Sequence, residues 1–463
     1  MAEQTQNRSN MITEGVIWKQ LLYFFFPIML GTFFQQLYNT ADAVIVGNFL
    51  GSRALAAVGG STELLIQLVT GFFVGISSGA GVIISQYYGA GKIRSLKQAT
   101  HTALLIALAG GIFFTLAGLL AAPWALKAMG TPEEITTDAM TYLRVYSLGM
   151  IPVLLYNMGA GILRAVGNSR TPMYLLIICC ILNVFLDLLF VAVFRWGVFG
   201  AALATAMTQT ASAVLVMASL LTTKDVYRID LKGTHFSPAF LRNILWIGLP
   251  VGLQSVMYSF SNVILQSNIN SFGTDTIAAW TVFSKIDGIF WMIQNSLGIA
   301  ITTFVGQNFG AGKYDRVGKS VQVGLAMSVI ICLGICPLFL IFRRPLYGFF
   351  LVDPQVIQLG VYMMGWMVPT YITYAGIEVL SGTIRGTGET IKPLLITCTG
   401  ICLMRIIWVS LMLPRFRDIR VIIFSYPISW LITTGMFLFY YKKGKWRRQM
   451  DAAAAGKEET PWI

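Results

Sequence analysis

Long apolar stretches separated by short polar ones run through the chain twelve times. Most apolar runs reach about 20 residues, the length an α-helix needs to cross a bilayer. Their pattern lacks the roughly 10-residue segments of alternating hydrophobicity that mark a membrane barrel. The spans fall at roughly 19–47, 56–84, 98–122, 138–163, 172–194 and 197–222 in the first half, and 241–270, 277–308, 318–342, 357–383, 393–413 and 419–441 in the second. The longest polar interruption, TKDVYRIDLKGTHFSPAF at 223–240, reads as a linker between two six-helix lobes. The expected organisation is a lobe at 1–222, this cytoplasmic linker, a second lobe at 241–441 and a basic tail at 442–463.

The two halves repeat. SQYYGAGKIRSLKQ returns as GQNFGAGKYDRVGKS, and ILRAVGNSRTP returns as TIRGTGETIKP. Arg164 answers Arg385, Gly167 answers Gly388 and Pro172 answers Pro393, each 221 positions on (385−164, 388−167, 393−172); Pro27 answers Pro250 at a nearby offset of 223 (250−27). Each copy spans the membrane an even number of times, so the repeats are parallel, related by an axis along the membrane normal. Two pseudo-symmetric bundles around a shared cleft suit alternating access.

Composition agrees with this reading. The chain is 56% hydrophobic and 11% charged with mean hydropathy +0.69, against about 25% charged in a soluble domain. A net charge of +13 could suggest nucleic acid. Here, however, the basic residues cluster in loops 2–3, 4–5, 6–7, 8–9 and 10–11 and at the two ends, while Arg144, Lys285 and Arg405 fall inside spans. That bias places both termini and the linker in the cytoplasm of a plasma (inner) membrane protein, with the lipid bilayer rather than nucleic acid as its partner. The polar first seventeen residues and the long first span do not form a cleavable signal peptide. The six cysteines lie in hydrophobic spans, and the two histidines form no HExxH or triad pattern. Enzyme chemistry and a resident cofactor are therefore not expected. The GAGK elements lack the GxxxxGK[ST] spacing of a phosphate loop.

The chemistry sits in the polar residues of the spans. The first span, PIMLGTFFQQLYNTADAVIVG from Pro27 to Gly47, places Gln35, Tyr38 and Asp42 at i, i+3, i+7, on one helix face. A carboxylate at the centre of a membrane helix costs about 2.5–3.5 kcal/mol on insertion scales, so Asp42 is expected to face a cavity and a function. In the fifth span Asn183 and Asp187 are i, i+4. An amide and a carboxylate one turn apart, opposite Asp42, make an oxygen-lined pocket for a proton or Na⁺, with Thr205 of the sixth span as a further oxygen. Burial and like charge disfavour two bare carboxylates side by side, so the pair is expected to titrate as a unit. Pro27, lacking an N–H, is a place where the first helix can bend.

Over nearly its full length the chain resembles the MATE (multidrug and toxic compound extrusion) transporters. The resemblance rests on the six-plus-six spans, the Pro27…Asp42 helix, the QYYGAGK/QNFGAGK and ILRAVGNSRTP/TIRGTGETIKP repeats and the Asn183–Asp187 pair. It implies an all-α polytopic membrane protein with twelve transmembrane helices in two pseudo-symmetric six-helix bundles, V-shaped around a central cleft. It also implies a cation-coupling site at Asp42, Asn183, Asp187 and Thr205, with these four as metal ligands only if Na⁺ is the coupling ion. The function implied is antiport that exports small-molecule organic cations against H⁺ or Na⁺, by a monomer with no other cofactor. Gln35, Tyr38 and Asn157 are the candidate substrate contacts.

The second half departs from one branch of the family. Its seventh span reads PVGLQSVMYSF, with Tyr258 where a carboxylate would stand, and the only carboxylate of the tenth is Glu378. The repeat offset sets Glu378 opposite Asn157 and Arg405 near Val184. Glu378 and Arg405 are expected to pair across spans 10 and 11, since pairing lowers the cost of burying either. Glu63 and Asp287 are expected to line the outer half of the cleft. The alternative function is a flippase for lipid-linked precursors; a pyrophosphate cargo would want a cationic cleft, and the recognisable residues of the first half are acidic and amide.

Overall fold

The computed structural model describes residues 12–230, 236–444, 446 and 447. Residues 231–235 of the expected linker, and most of the tail beyond 444, lie outside the described residues. The first half comprises α1 (Ile17–Leu50), α2 (Ser52–Gly59), α3 (Ser61–Gly89), α4 (Ile93–Ala128), α5 (Glu133–Leu148), α6 (Met150–Ala165), α7 (Arg170–Asp187) and α8 (Gly197–Thr222). The second comprises α9 (Pro238–Asn270), α10 (Thr274–Gly310), α11 (Tyr314–Phe350), α12 (Pro354–Met367), α13 (Ala375–Gly386), α14 (Ile391–Thr397), α15 (Met404–Met412) and α16 (Ile419–Lys443).

Ten continuous helical stretches among the described residues are long and apolar enough to cross a membrane, α2–α3 counting as one. The fourth expected span is the pair α5–α6, bent by 51°. The tenth, α12 to α13, is interrupted by a 3₁₀ turn at Val368–Tyr374. Two further spans change pitch. A π-helical turn, Leu188–Val193, follows α7 immediately after Asp187, and another, Cys398–Leu403, separates α14 from α15. Such turns shift helical register and gather at functional sites.

The internal repeat is visible in the backbone. Gly91 and Gly312, in the two GAGK turns, have φ of 69° and 70°; Gly167 and Gly388 have φ of 91° and 96°. This left-handed region is cheap only for glycine, so each repeat ends its helices with the same device at the same place.

Two compact units divide the chain. One runs from Phe26 to Gly252; the other takes Leu253 onward together with Ile12–Phe25. The units part within α9 rather than in the expected linker, and the start of α1 belongs with the second unit. The packing explains both. Gly75 and Gly79 on α3 meet Gly252 and Gly248 on α9 so closely that a β-carbon on Gly248 would lie 2.7 Å from the Ile76 Cα. This is the small-xxx-small contact by which membrane helices approach without side chains between them. In the second unit Arg316 donates to the carbonyls of Gly15 (2.8 Å), Ile12 and Glu14 (3.3 Å each) and to Gln20 Oε1 (3.1 Å), while Lys313 donates to the Thr13 carbonyl at 3.0 Å. Cations at the start of α11 thus collect the carbonyls of the segment leading into α1.

Candidate cation site

In the first unit the C-terminal part of α1 is anchored by a cluster of Ile45, Val46, Ala54, Val58, Tyr142, Val191, Val198, Ala201 and Ala202. That cluster joins α1 to α2, α5, the π turn and α8. Eleven residues before Asp42, Gly31 lets α1 approach α7, where its β-carbon would lie 3.2 Å from Leu176 Cδ1. The face carrying Asp42 is thereby held toward the end of α7 and the start of α8.

Asp42 is 9% exposed, Thr205 5%, and Asn183 and Asp187 are fully buried. Asp187 lies within electrostatic range of Asp42, as do Tyr38, Tyr142 and Glu63. Asp42 Oδ1, both side-chain atoms of Asn183 and both carboxylate oxygens of Asp187 have no hydrogen-bond partner within the protein. Native proteins rarely leave buried polar atoms unmatched, and each such group calls for water, an ion or a chemical role. Here five lie on the residues picked out by the i, i+4 and i, i+7 spacing. The Thr205 hydroxyl is engaged, donating to the Ala201 carbonyl at 3.2 Å and bonding Tyr142. Among the described residues no group of three or more His, Cys, Asp or Glu comes together. An ion held here would rest on two carboxylates and neutral oxygens, a set suited to a proton or an alkali cation rather than a transition metal.

Tyr38 accepts a hydrogen bond from Gln209 Nε2 at 3.1 Å, and Gln35 is half-buried on α1. The Asn157 side-chain amide donates to the Val153 carbonyl (2.9 Å), and the Asn157 backbone carbonyl receives Ser77 Oγ (3.0 Å). This ties α6 to α3 and leaves the Asn157 amide nitrogen engaged within its own helix. Tyr142, Tyr146 and Gln209 join the surroundings of Asp42 and Tyr38 without having been singled out in the sequence. The signal for the tyrosines was their i, i+4 spacing on a span whose one basic residue, Arg144, is exposed.

The second unit corrects the expected charge pair. Glu378 meets Arg385, not Arg405, with Nη2 to Oε2 at 3.4 Å, and its other oxygen accepts from the Tyr374 hydroxyl at 2.7 Å. Arg405 stacks its guanidinium 4.0 Å over the Tyr426 ring and reaches Ser429 Oγ at 3.5 Å. Ordinary helical spacing accounts for the pair that forms: Glu378 and Arg385 are i, i+7 within α13, and Tyr374 at its N-cap stands four residues before Glu378, so all three share one face. The π turn just before α15 rotates Arg405 away from the position that an unbroken helix would give it. Asp287 is buried within the unit, accepting from the Tyr371 hydroxyl and, at 2.6 Å, from Trp291 Nε1. Glu63 is exposed and accepts from Gln67 Nε2 at 2.9 Å.

The MatE family model matches residues 27–189 and 250–410, one copy in each half. A probable multidrug resistance protein of Bacillus subtilis, YoeA, is 26% identical over 440 residues, spanning 92% of this chain and 95% of its own. The probable multidrug resistance protein NorM of Thermotoga maritima is 24% identical, with 93% of each chain covered. Among solved structures, an outward-facing multidrug resistance MATE family transporter superposes with a TM-score of 0.88 at 22% identity, covering 96% of this chain and 98% of its own; that likeness concerns the fold.

Proposed function

The chain belongs to the MatE family, and from that footing we propose that it is a secondary antiporter of the cell membrane, exporting organic cations in exchange for H⁺ or Na⁺. Asp42, Asn183, Asp187 and Thr205 form its coupling site. The observation that carries the reading is the set of five buried, unpartnered polar atoms on Asp42, Asn183 and Asp187. Two desolvated carboxylates with no cationic side chain bonded to them are stable only when something else supplies positive charge. A proton or Na⁺ does so in one state, and a cationic cargo approaching along the Gln35–Tyr38 face of α1 does so in another. Their mutual exclusion is the coupling. Both termini lie in the cytoplasm, and α1 bends or repacks at Pro27 as Asp42 is neutralised. The names of the relatives, multidrug resistance proteins, support a cargo of drug-like amphiphiles. The acid-and-amide character of the site gives a pyrophosphate-bearing lipid precursor no cation to bind.

The test is ethidium transport in proteoliposomes, with pH and Na⁺ gradients imposed separately. Asp42→Asn and Asp187→Asn are each expected to abolish gradient-driven uptake while the protein stays folded. Gradient-driven transport surviving in both variants would remove the site assignment.

A further inference from the structure

The second unit buries a carboxylate that the coupling site does not use. Asp287 on α10 is 9% exposed, with a donor on each oxygen: the Tyr371 hydroxyl on Oδ1 and the Trp291 indole N–H on Oδ2. The other titratable or charged groups facing it are Tyr347 on α11, Arg405 on α15 and Tyr426 on α16. Tyr371 belongs to the 3₁₀ turn Val368–Tyr374. Three residues on, Tyr374 donates to Glu378, which in turn meets Arg385. In a 3₁₀ turn residues i and i+3 eclipse, so one short segment offers two phenols, on one face, to two carboxylates. Tyr371 stacks on Phe290 (4.1 Å between centroids) and Tyr374 sits edge-on to Trp291 (4.7 Å), fastening the segment to α10. Pro369 denies the segment one backbone donor, and thiols of α11 serve carbonyls there: Cys336 Sγ to Val368 O at 3.2 Å and Cys332 Sγ to Tyr371 O at 3.7 Å.

We infer that Asp287 is a proton-binding site of the second unit, and that the Val368–Tyr374 turn changes conformation when Asp287 is protonated. The chemistry of its two donors sets the direction. The indole N–H can only donate, so it keeps Oδ2 as its acceptor in either state. A phenol can donate or accept. A proton added to Oδ1 makes that oxygen a donor to Tyr371, whose own O–H must turn to a new acceptor. Tyr371 is therefore the positioning residue that converts one proton into a rearranged hydrogen bond, and its backbone lies in the 3₁₀ turn itself. Span 10 leaves the 3₁₀ form when the bond reverses. The inference concerns residues of the second unit only and does not require the coupling site of the first.

Hydrogen–deuterium exchange at residues 368–374 of the full-length protein in detergent, corrected for intrinsic exchange, tests it. In the wild type, exchange rises from neutral to mildly acidic pH by about fivefold, the factor expected when the rearranged turn is weakened by about the net worth of one hydrogen bond. Asp287→Asn carries one acceptor and one donor, as the protonated acid does, and is expected to exchange at the fast rate at every pH. Tyr371→Phe, which keeps the acid and removes the reversible donor, is expected to lose the pH dependence. The Asp42→Asn/Asp187→Asn double variant is expected to keep the wild-type profile. A flat wild-type profile, a pH response that persists in Asp287→Asn, or a response lost in the double variant would each overturn the inference. None of these results would touch the transport assay above, so the two readings fail separately.

Discussion

Gly248→Ala tests the close packing that assigns the first half of α9 to the first unit. Its added β-carbon would meet the Ile76 Cα at 2.7 Å and the Ile76 carbonyl oxygen at 3.0 Å. Carbon atoms sit comfortably at about 3.5–4.0 Å, so α3 and α9 must part by about 1 Å. The opposing atoms are backbone, and no flexible side chain can swing aside. Overpacking of this kind costs about 1–3 kcal/mol. Gly334→Ala is the matched control: nothing lies within 4 Å of its β-carbon position on α11. Relief of glycine's extra chain entropy there contributes about 0.5–1 kcal/mol of stability. The same chemical change is thus expected to shift the unfolding midpoint down at one position and slightly up at the other. Thermal unfolding in detergent, followed by tryptophan fluorescence, reads both. A Gly248→Ala protein unfolding at or above the wild-type temperature would refute the close-packing argument, and with it the reason given for where the units part.

Two further outcomes follow from the charged groups. Double-mutant cycles on Glu378 are expected to give a coupling of about 1–3 kcal/mol with Arg385, whose side chain like that of Glu378 is only about 15% exposed. Coupling with Arg405 is expected to be near zero, and chemical denaturation of the single and double alanine variants measures both. At the entry to α16, Asp418 caps the helix by accepting from the Arg420 backbone N–H at 2.8 Å. Asp418→Ala is expected to cost about 1 kcal/mol. The bonds to Arg420 hold the Asp418 carboxyl below its ordinary range. Its contribution is therefore complete above about pH 4 and fades as pH falls through the lower folded-state value. The stability difference between variant and wild type should shrink on acidification.

Hydropathy, the repeat and helical spacing each depend on neighbours within a few turns or on self-comparison, and these the chain determined by itself. The spans, the pairing of Gly91 with Gly312, and the placement of Asn183 with Asp187 on one face all follow from such local rules. Tertiary structure decided which partners Arg405 and Asp287 find. Glu378 takes neighbours on its own helix, Arg385 and Tyr374, whereas Arg405 takes Tyr426, because the π turn before α15 resets the register that a regular helix would have carried forward. Asp287 gave no local sign that a tyrosine 84 residues away would bond it. The start of α1 joins the second unit for the same reason: carbonyls from residues 12–15 meet Arg316 and Lys313 some 300 positions later, a distance over which periodicity carries no information and only packing does.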